Sequence, residues 1–240
     1  MDTSSKKILK LTHLIGYLRQ IPLLKDLPEQ CIHDIALKSK VLEYKKEVAV
    51  IKANEPARYI GFLLIGQLKV THISNNNLES DISFLNAPVE FGELSVIDQK
   101  PRSATLITNN RTLIAWLDGK IFLDMLLINQ SLNLAMMRSI SKKVRQANDR
   151  IFILSRKTAQ SRLIAYLLRS KMRDVGGNVL ALKAPTQTEL ASAINTTRET
   201  VSRILKHLED ESLIKKINRE ILIPSIDKLD QYLFDLEHNF

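Results

Sequence analysis

Apolar positions along this chain change their period twice. Before residue 37 they recur at helical spacing. Leu23, Leu24 and Leu27 are followed by Ile32, Ile35 and Ala36, with Pro22 and Pro28 as punctuation, so short helices are predicted over 6–37. From 41 to 117 the apolar runs are short: 48–51, 60–65, 67–71, 81–85 and 112–117. Turn chemistry separates them at Asn54-Glu55-Pro56, Gly66 and Ser74 to Asn77. Short strands at that spacing predict a β-sandwich or β-roll. Over 119–155 the texture turns helical again. Met137, Ile140, Val144, Ala147, Ile151 and Leu154 follow one another at alternating steps of three and four, with Lys142, Lys143, Arg145 and Arg150 off the stripe. So narrow a seam buries itself against another helix, most simply its symmetry mate in a parallel coiled coil; packing on its own domain is the alternative. Upstream the seam is less clean, because Asn133 and Gln130 fall on it.

The last third carries tighter punctuation. A helical run from Ser161 to Met172 ends near Gly176-Gly177, and Asn178 to Leu182 reads as a short strand. Thr186-Gln-Thr-Glu189 has capping-box spacing and opens a helix reaching Ile194, and Asn195-Thr196 makes a turn. Thr197-Arg-Glu-Thr200 repeats that spacing and opens a second helix to about Glu211. Residues 213–217 and 220–223 then flank Asn218-Arg219 as a hairpin. Helix, short turn, helix and hairpin make a winged helix-turn-helix. After Pro224, Ile226, Leu229 and Leu233 stand at helical spacing and are expected to pack on that domain. The fold class is therefore α+β, in three parts: a jelly-roll-like β-roll over 1–118, a dimerisation helix over 119–155 and a winged helix-turn-helix over 156–240.

Composition narrows the function. Of 240 residues 45% are hydrophobic and 25% charged, enough for a packed core. Cys31 is the single cysteine, a small apolar filler, so a disulfide framework or a cysteine-built zinc or iron–sulfur site within one chain is excluded. The apolar run Ile121 to Ile128, interrupted by Asp124, falls short of the ~20 residues a membrane span needs. With an acid at position 2 and no apolar segment behind it, the N-terminus does not read as a signal peptide. A cytoplasmic protein without membrane association is expected. No Ser-His-Asp, metal-ligand or P-loop spacing appears, so an enzyme, a metal site or a tightly bound cofactor is not expected.

Charge is unevenly placed. Residues 1–130 carry 16 basic against 14 acidic groups, 155–224 carry 13 against 7, and the tail from 225 is net negative. A cationic back half points to an anionic partner, double-stranded DNA first, with a solvated basic face as the bland alternative. In a helix-turn-helix the first turns of the second helix enter the major groove. Arg198, Glu199, Thr200, Ser202 and Arg203 stand there. An arginine can bridge guanine O6 and N7, and a glutamate can accept from the cytosine amino group. Thr186, Thr197 and Thr200 suit phosphate contacts at two helix N-termini, and Lys215, Lys216 and Arg219 on the hairpin would add backbone contacts. Singly, the charges could be surface groups and the threonines plain caps.

A second constellation lies at 91–105. Gly92 lets backbone approach a ligand closely, and the short helix after it offers N–H donors to an anion. Glu93 can accept from a sugar hydroxyl, while Arg102 presents a forked cation to a phosphate with Ser103 beside it. A structural Glu–Arg ion pair is the other reading of the same residues.

Both constellations resemble a known family. The stretch Thr186 to Asp210, with its Arg-Glu-Thr-Val-x-Arg core at Arg198 to Arg203, resembles the helix-turn-helix of the cyclic-AMP receptor protein and fumarate–nitrate reduction regulator family of bacterial transcription regulators. Gly92-Glu93-Leu94, followed ten residues after the glycine by Arg102-Ser103-Ala104, is similar to the phosphate-binding cassette of cyclic-nucleotide domains. The resemblance covers nearly the whole chain in the family's order. It implies a homodimer gated by a cyclic nucleotide, cyclic AMP first, that reads a TGTGA-like palindrome and meets RNA polymerase. It places the ribose-phosphate on Gly92, Glu93, Leu94, Arg102 and Ser103. At the pair that would meet the base stand Ala147 and Asn148, and Asn148 both donates and accepts, leaving adenine and guanine open. Two glycines usual in the family's β-roll turns are Lys46 and Asn54 here. The family's oxygen sensor needs a cysteine cluster that this chain lacks. Its haem sensors need an axial ligand, and the lone His72 reads instead as a surface residue.

Overall fold

The computed structural model describes residues 4–6, 9–73, 79–170, 172–174, 180–218 and 220–238. The chain divides into two compact units, 1–141 and 142–240.

Among the described residues of the first unit, nine antiparallel strands form two sheets. These are β1 (Ser4–Lys6), β2 (Lys40–Tyr44), β3 (Ala49–Ile51), β4 (Tyr59–Ile65), β5 (Gln67–Ile73), β6 (Glu79–Asn86), β7 (Val89–Phe91), β8 (Thr105–Thr108) and β9 (Thr112–Asp118). One sheet runs β1-β2-β9-β4-β7 and the other β3-β8-β5-β6. The apolar runs of β4 and β9 are continuous because that sheet is covered on both faces. Ile60, Phe62, Leu64, Ala115 and Leu117 enter a core shared with helices, while Leu63 and Ile114 enter the β-roll interior with Phe91. Gly61 belongs to that interior by necessity, since a Cβ there would lie 2.2 Å from the Phe91 ring.

Helices α1 (Leu11–Leu18) and α2 (Glu29–Lys38) realise only part of the expected helical segment. Residues 21–27 are turns closed by three-residue bonds, Leu24 N to Ile21 O at 2.8 Å and Leu27 N to Leu24 O at 3.2 Å. Pro22 and Pro28 each lack an amide hydrogen, so the leucines there reach the core without a helix. The backbone at Lys46 also departs from expectation. Glu47, at φ +63°, takes the left-handed turn position, while Asn54, at φ +67°, sits where a glycine is usual.

After α3 (Glu93–Ile97), the expected long helix is two: α4 (Gly119–Ile128) and α5 (Gln130–Leu154). Asn129 divides them. It leaves helical backbone at ψ 98°, and its Oδ1 accepts from Leu132 N at 3.0 Å as a cap for α5. Leu132 and Met136 of α5 are buried in the core of this unit, and Ile140, assigned to the seam, is half-buried against it. The other seam residues face solvent in the single chain: Met137 is 54% exposed, Val144 52%, Ile151 68% and Leu154 37%, and Ala147 is exposed too.

The second unit builds on α6 (Ala159–Arg169), α7 (Gln187–Ala193), α8 (Arg198–Asp210) and α9 (Ile226–His238). Its sheet has the order β10 (Arg173–Asp174), β11 (Leu180–Lys183), β13 (Glu220–Ile223), β12 (Lys215–Ile217). Helix α6 stops at Arg169 rather than Met172, and the glycine pair at 176–177 lies outside the described residues. Val201, Ile204, Leu205 and Leu208 give α8 one buried stripe against α6 and the sheet, each side chain stabilising by roughly 1.5–3 kcal/mol. Leu229 and Leu233 bury α9 on the same core, as its spacing predicts.

Candidate effector cassette and nucleic-acid interface

The chain leaves β7, turns at Gly92 and enters α3. Gly92 has φ +75°, and a Cβ there would stand 2.6 Å from Arg102 Nη1, so left-handed backbone and close approach both require glycine. Arg102 is 6% exposed. Its Nη1 donates to the Gly92 carbonyl at 2.7 Å and its Nη2 to the carbonyl of Tyr59 on β4. Two backbone bonds fix its position: Arg102 N to Glu55 O at 3.0 Å and Asn54 N to Arg102 O at 2.9 Å. Burial pushes the guanidinium pKa down, and the charges of Glu93 and Glu55 pull it back up. Glu93 itself is buried at 4% exposure.

Gly92, Glu93 and Arg102 are thus brought together, as the resemblance to the cassette implies. Leu94 is 51% exposed and Ser103 is exposed beside Arg102. Asn148 is exposed on α5 in the second unit. Arg102 uses two of its five N–H donors on carbonyls, which leaves three for an anion. The backbone of His72 lies in β5, and its side chain is outside the described residues.

The second site is the outer face of α8. Thr197 caps this helix, its Oγ1 accepting from Thr200 N at 3.2 Å. Arg198, Glu199, Ser202 and Arg203 are exposed, opposite the buried stripe, and line one concave patch. The Glu199 carboxylate is held below the usual glutamate range by its own amide, the Thr197 hydroxyl and Arg198, so it stays an acceptor. Thr200 is half-buried and outside that patch. Thr186 forms a full capping box on α7: Glu189 N donates to its Oγ1 at 3.2 Å and Thr186 N donates to Glu189 Oε2 at 2.7 Å, while the Thr186 hydroxyl also reaches Glu189 Oε2 at 2.9 Å. Lys215 is exposed on the hairpin, whereas Lys216 pairs with Glu209 at 3.5 Å. Arg219 lies outside the described residues.

Two residues of this patch escaped the sequence reading, Gln187 and Lys206. Lys206 follows Ser202 by four and Arg203 by three, so helical spacing alone would have found it. Gln187 comes from another helix, and no local pattern points to it.

Comparison with known proteins covers both sites. A cyclic nucleotide-binding domain matches residues 41–129, and a Crp-like helix-turn-helix domain matches 161–232. Among curated proteins, the chain is 20% identical over 191 residues to a CRP-like cAMP-activated global transcriptional regulator of Mycobacterium tuberculosis, covering 78% of this chain and 85% of that one. It is 23% identical over 184 residues to the cAMP-activated global transcriptional regulator CRP of Salmonella typhimurium, covering 75% and 88%. A solved CooA variant from Carboxydothermus hydrogenoformans shares the fold at TM-score 0.65 and 17% identity, covering 95% of this chain and 98% of that one. A cyclic nucleotide-binding β-roll, a long helix and a Crp-like reader in that order make this chain a member of the cyclic-AMP receptor protein and fumarate–nitrate reduction regulator family, a DNA-binding transcription regulator.

Proposed function

We propose that the protein is a homodimeric regulator whose affinity for a TGTGA-like palindrome is set by cyclic AMP. The observation that carries the effector is Arg102, retained and buried against Gly92 with Glu93 beside it. A cyclic phosphate would meet a guanidinium already desolvated and aimed, and the ribose would meet Glu93. The exposed apolar row from Met137 to Leu154 supports dimerisation through α5. Two copies then present two α8 faces to successive major grooves ~34 Å apart. Effector binding shifts the orientation of the readers about residues 154–157 only as far as its affinity differs between the two arrangements. RNA polymerase is the expected further partner, and the regulator works in the cytoplasm.

Fluorescence anisotropy on a labelled TGTGA-N6-TCACA duplex at fixed salt tests this reading. Cyclic AMP should tighten binding at least tenfold, about 1.4 kcal/mol of coupling. Equal tightening by cyclic GMP would reassign the base, and tight binding indifferent to either nucleotide would discard the sensor while keeping the reader.

A further inference from the structure

Beside the cassette, at the mouth of the β-roll, lies a cavity of about 780 Å³, within the range of small-molecule sites. Of the cassette residues only Arg102 borders it; Gly92, Glu93, Leu94 and Ser103 do not. Its floor is apolar and aromatic. Leu42, Val50 and Trp116 pack there on the β-roll interior, and Trp116 Nε1 donates to the Tyr44 hydroxyl at 2.9 Å. That hydroxyl donates to nothing among the described residues, and burial raises the Tyr44 pKa, so it remains a neutral donor.

The rim is cationic. Lys38, Lys40 and Arg58 are exposed and form no salt bridge among the described residues. Two carboxylates also border the cavity, those of Asp118 and the exposed Glu55. Asp118 caps α4, accepting from Lys120 N at 2.9 Å and Ile121 N at 3.3 Å. Glu55 acts on the Arg102 charge. The rim therefore carries three exposed cations against two carboxylates, and among the described residues none of the three cations is held in a salt bridge.

From this geometry we infer that the cavity is a second small-molecule site, distinct from the nucleotide cassette, for a flat apolar anion: a ring system seated on Tyr44 and Trp116 with its acid group at Lys38, Lys40 and Arg58. A neutral ring would forgo the rim, and a small inorganic anion would forgo the floor. The anion is met here by residues of α2, β2 and the segment before β4, none of which belongs to the cassette. Occupancy would stiffen the strand pair β2–β9 that carries the floor.

The test uses 8-anilino-1-naphthalenesulfonate as the aromatic anion, N-phenyl-1-naphthylamine as its uncharged counterpart, and the whole protein. Trp116 is the chain's one tryptophan, so its emission reports the floor directly. The sulfonate should bind saturably, one per chain, quenching Trp116. The double variant Lys40→Glu, Arg58→Glu should weaken it at least tenfold while leaving the uncharged probe within twofold. Because both variant positions are exposed, an unchanged melting temperature checks the fold. Saturating cyclic AMP should leave sulfonate binding in place, whether or not cyclic AMP gates DNA binding. Non-saturable quenching, equal affinity in the charge-reversed variant, or displacement by cyclic AMP at one nucleotide per chain would each overturn the inference; displacement would make the cavity the nucleotide's own.

Discussion

In the sensor unit the guanidinium of Arg102 is 6% exposed and donates to the carbonyls of Gly92 and Tyr59. In the reader unit Arg198, Arg203 and Lys206 are exposed and stand outside every salt bridge among the described residues. One site has removed its cation from water in advance and anchored it to the backbone. The other leaves its cations open to solvent. Desolvation is costly, so it suits a site that must distinguish one small anion. Hydrated side chains suit a polyanion whose affinity comes from many contacts and released counterions. Damage at the first site should therefore appear in both folding and response, and at the second in binding alone.

The largest effect is expected from Arg102→Ala. It strips two carbonyls of their donor, at about 1–3 kcal/mol each if water does not replace it, and removes the cation proposed to meet the phosphate. The effector-free melting temperature should fall, and cyclic AMP should cease to alter DNA affinity. Arg102→Lys keeps the charge but cannot fork across both carbonyls, so it should recover part of the stability and little of the response. An Arg102→Ala protein that melts like the parent would break the contrast between the two sites.

Next in size is the seam. Val144 and Ile151 are 52% and 68% exposed in the single chain, so charges placed there should be tolerated by the monomer. Val144→Asp with Ile151→Asp should weaken dimerisation at least hundredfold, about 2.8 kcal/mol, in sedimentation equilibrium, with an unchanged monomer melt. Palindrome binding should fall with the dimer while half-site binding stays. Ile140→Asp should instead unfold the sensor unit, because Ile140 packs on that unit's core.

Arg203→Ala comes third. Loss of a bidentate base contact costs about 1–3 kcal/mol and relaxes specificity at one base pair. Thermal stability should not move, since the side chain is exposed on α8. A matching loss of stability would place Arg203 with Arg102 rather than against it.

How far the two sites were legible follows the same division. The reader is local: its caps, its turn and the exposed face of α8 all fall within one short stretch, where periodicity and capping residues are readable. The sensor is assembled from afar. The resemblance to a cassette brought Gly92, Glu93 and Arg102 together, yet nothing in the sequence shows that Arg102 reaches the carbonyl of Tyr59, 43 positions away. Strands β7 and β8 escaped for related reasons. The first has three residues, and the second ends in Thr108, whose buried hydroxyl donates to Lys45 O at 2.6 Å and so imitates a loop residue. The break at Asn129 was missed because asparagine is unremarkable in a helix until its side chain turns to cap the next one. Ile140 fits the seam in sequence, but only the fold shows that it also meets a core.

The smallest effect separates capping from phosphate contact at Thr186. Its hydroxyl is already engaged with Glu189, and its oxygen accepts from the Glu189 amide at 3.2 Å. Thr186→Ala should therefore cost the reader unit about 1 kcal/mol of stability and leave the DNA affinity of folded protein within twofold. Thr186→Ser should restore the cap. Lys215→Ala should behave in reverse, lowering the salt slope of DNA binding by about one without altering the melt. Were Thr186→Ala to weaken binding severalfold with stability intact, the threonine would belong to the interface after all. The exposed cations of α8 would then share their phosphate contacts with the cap of the neighbouring helix.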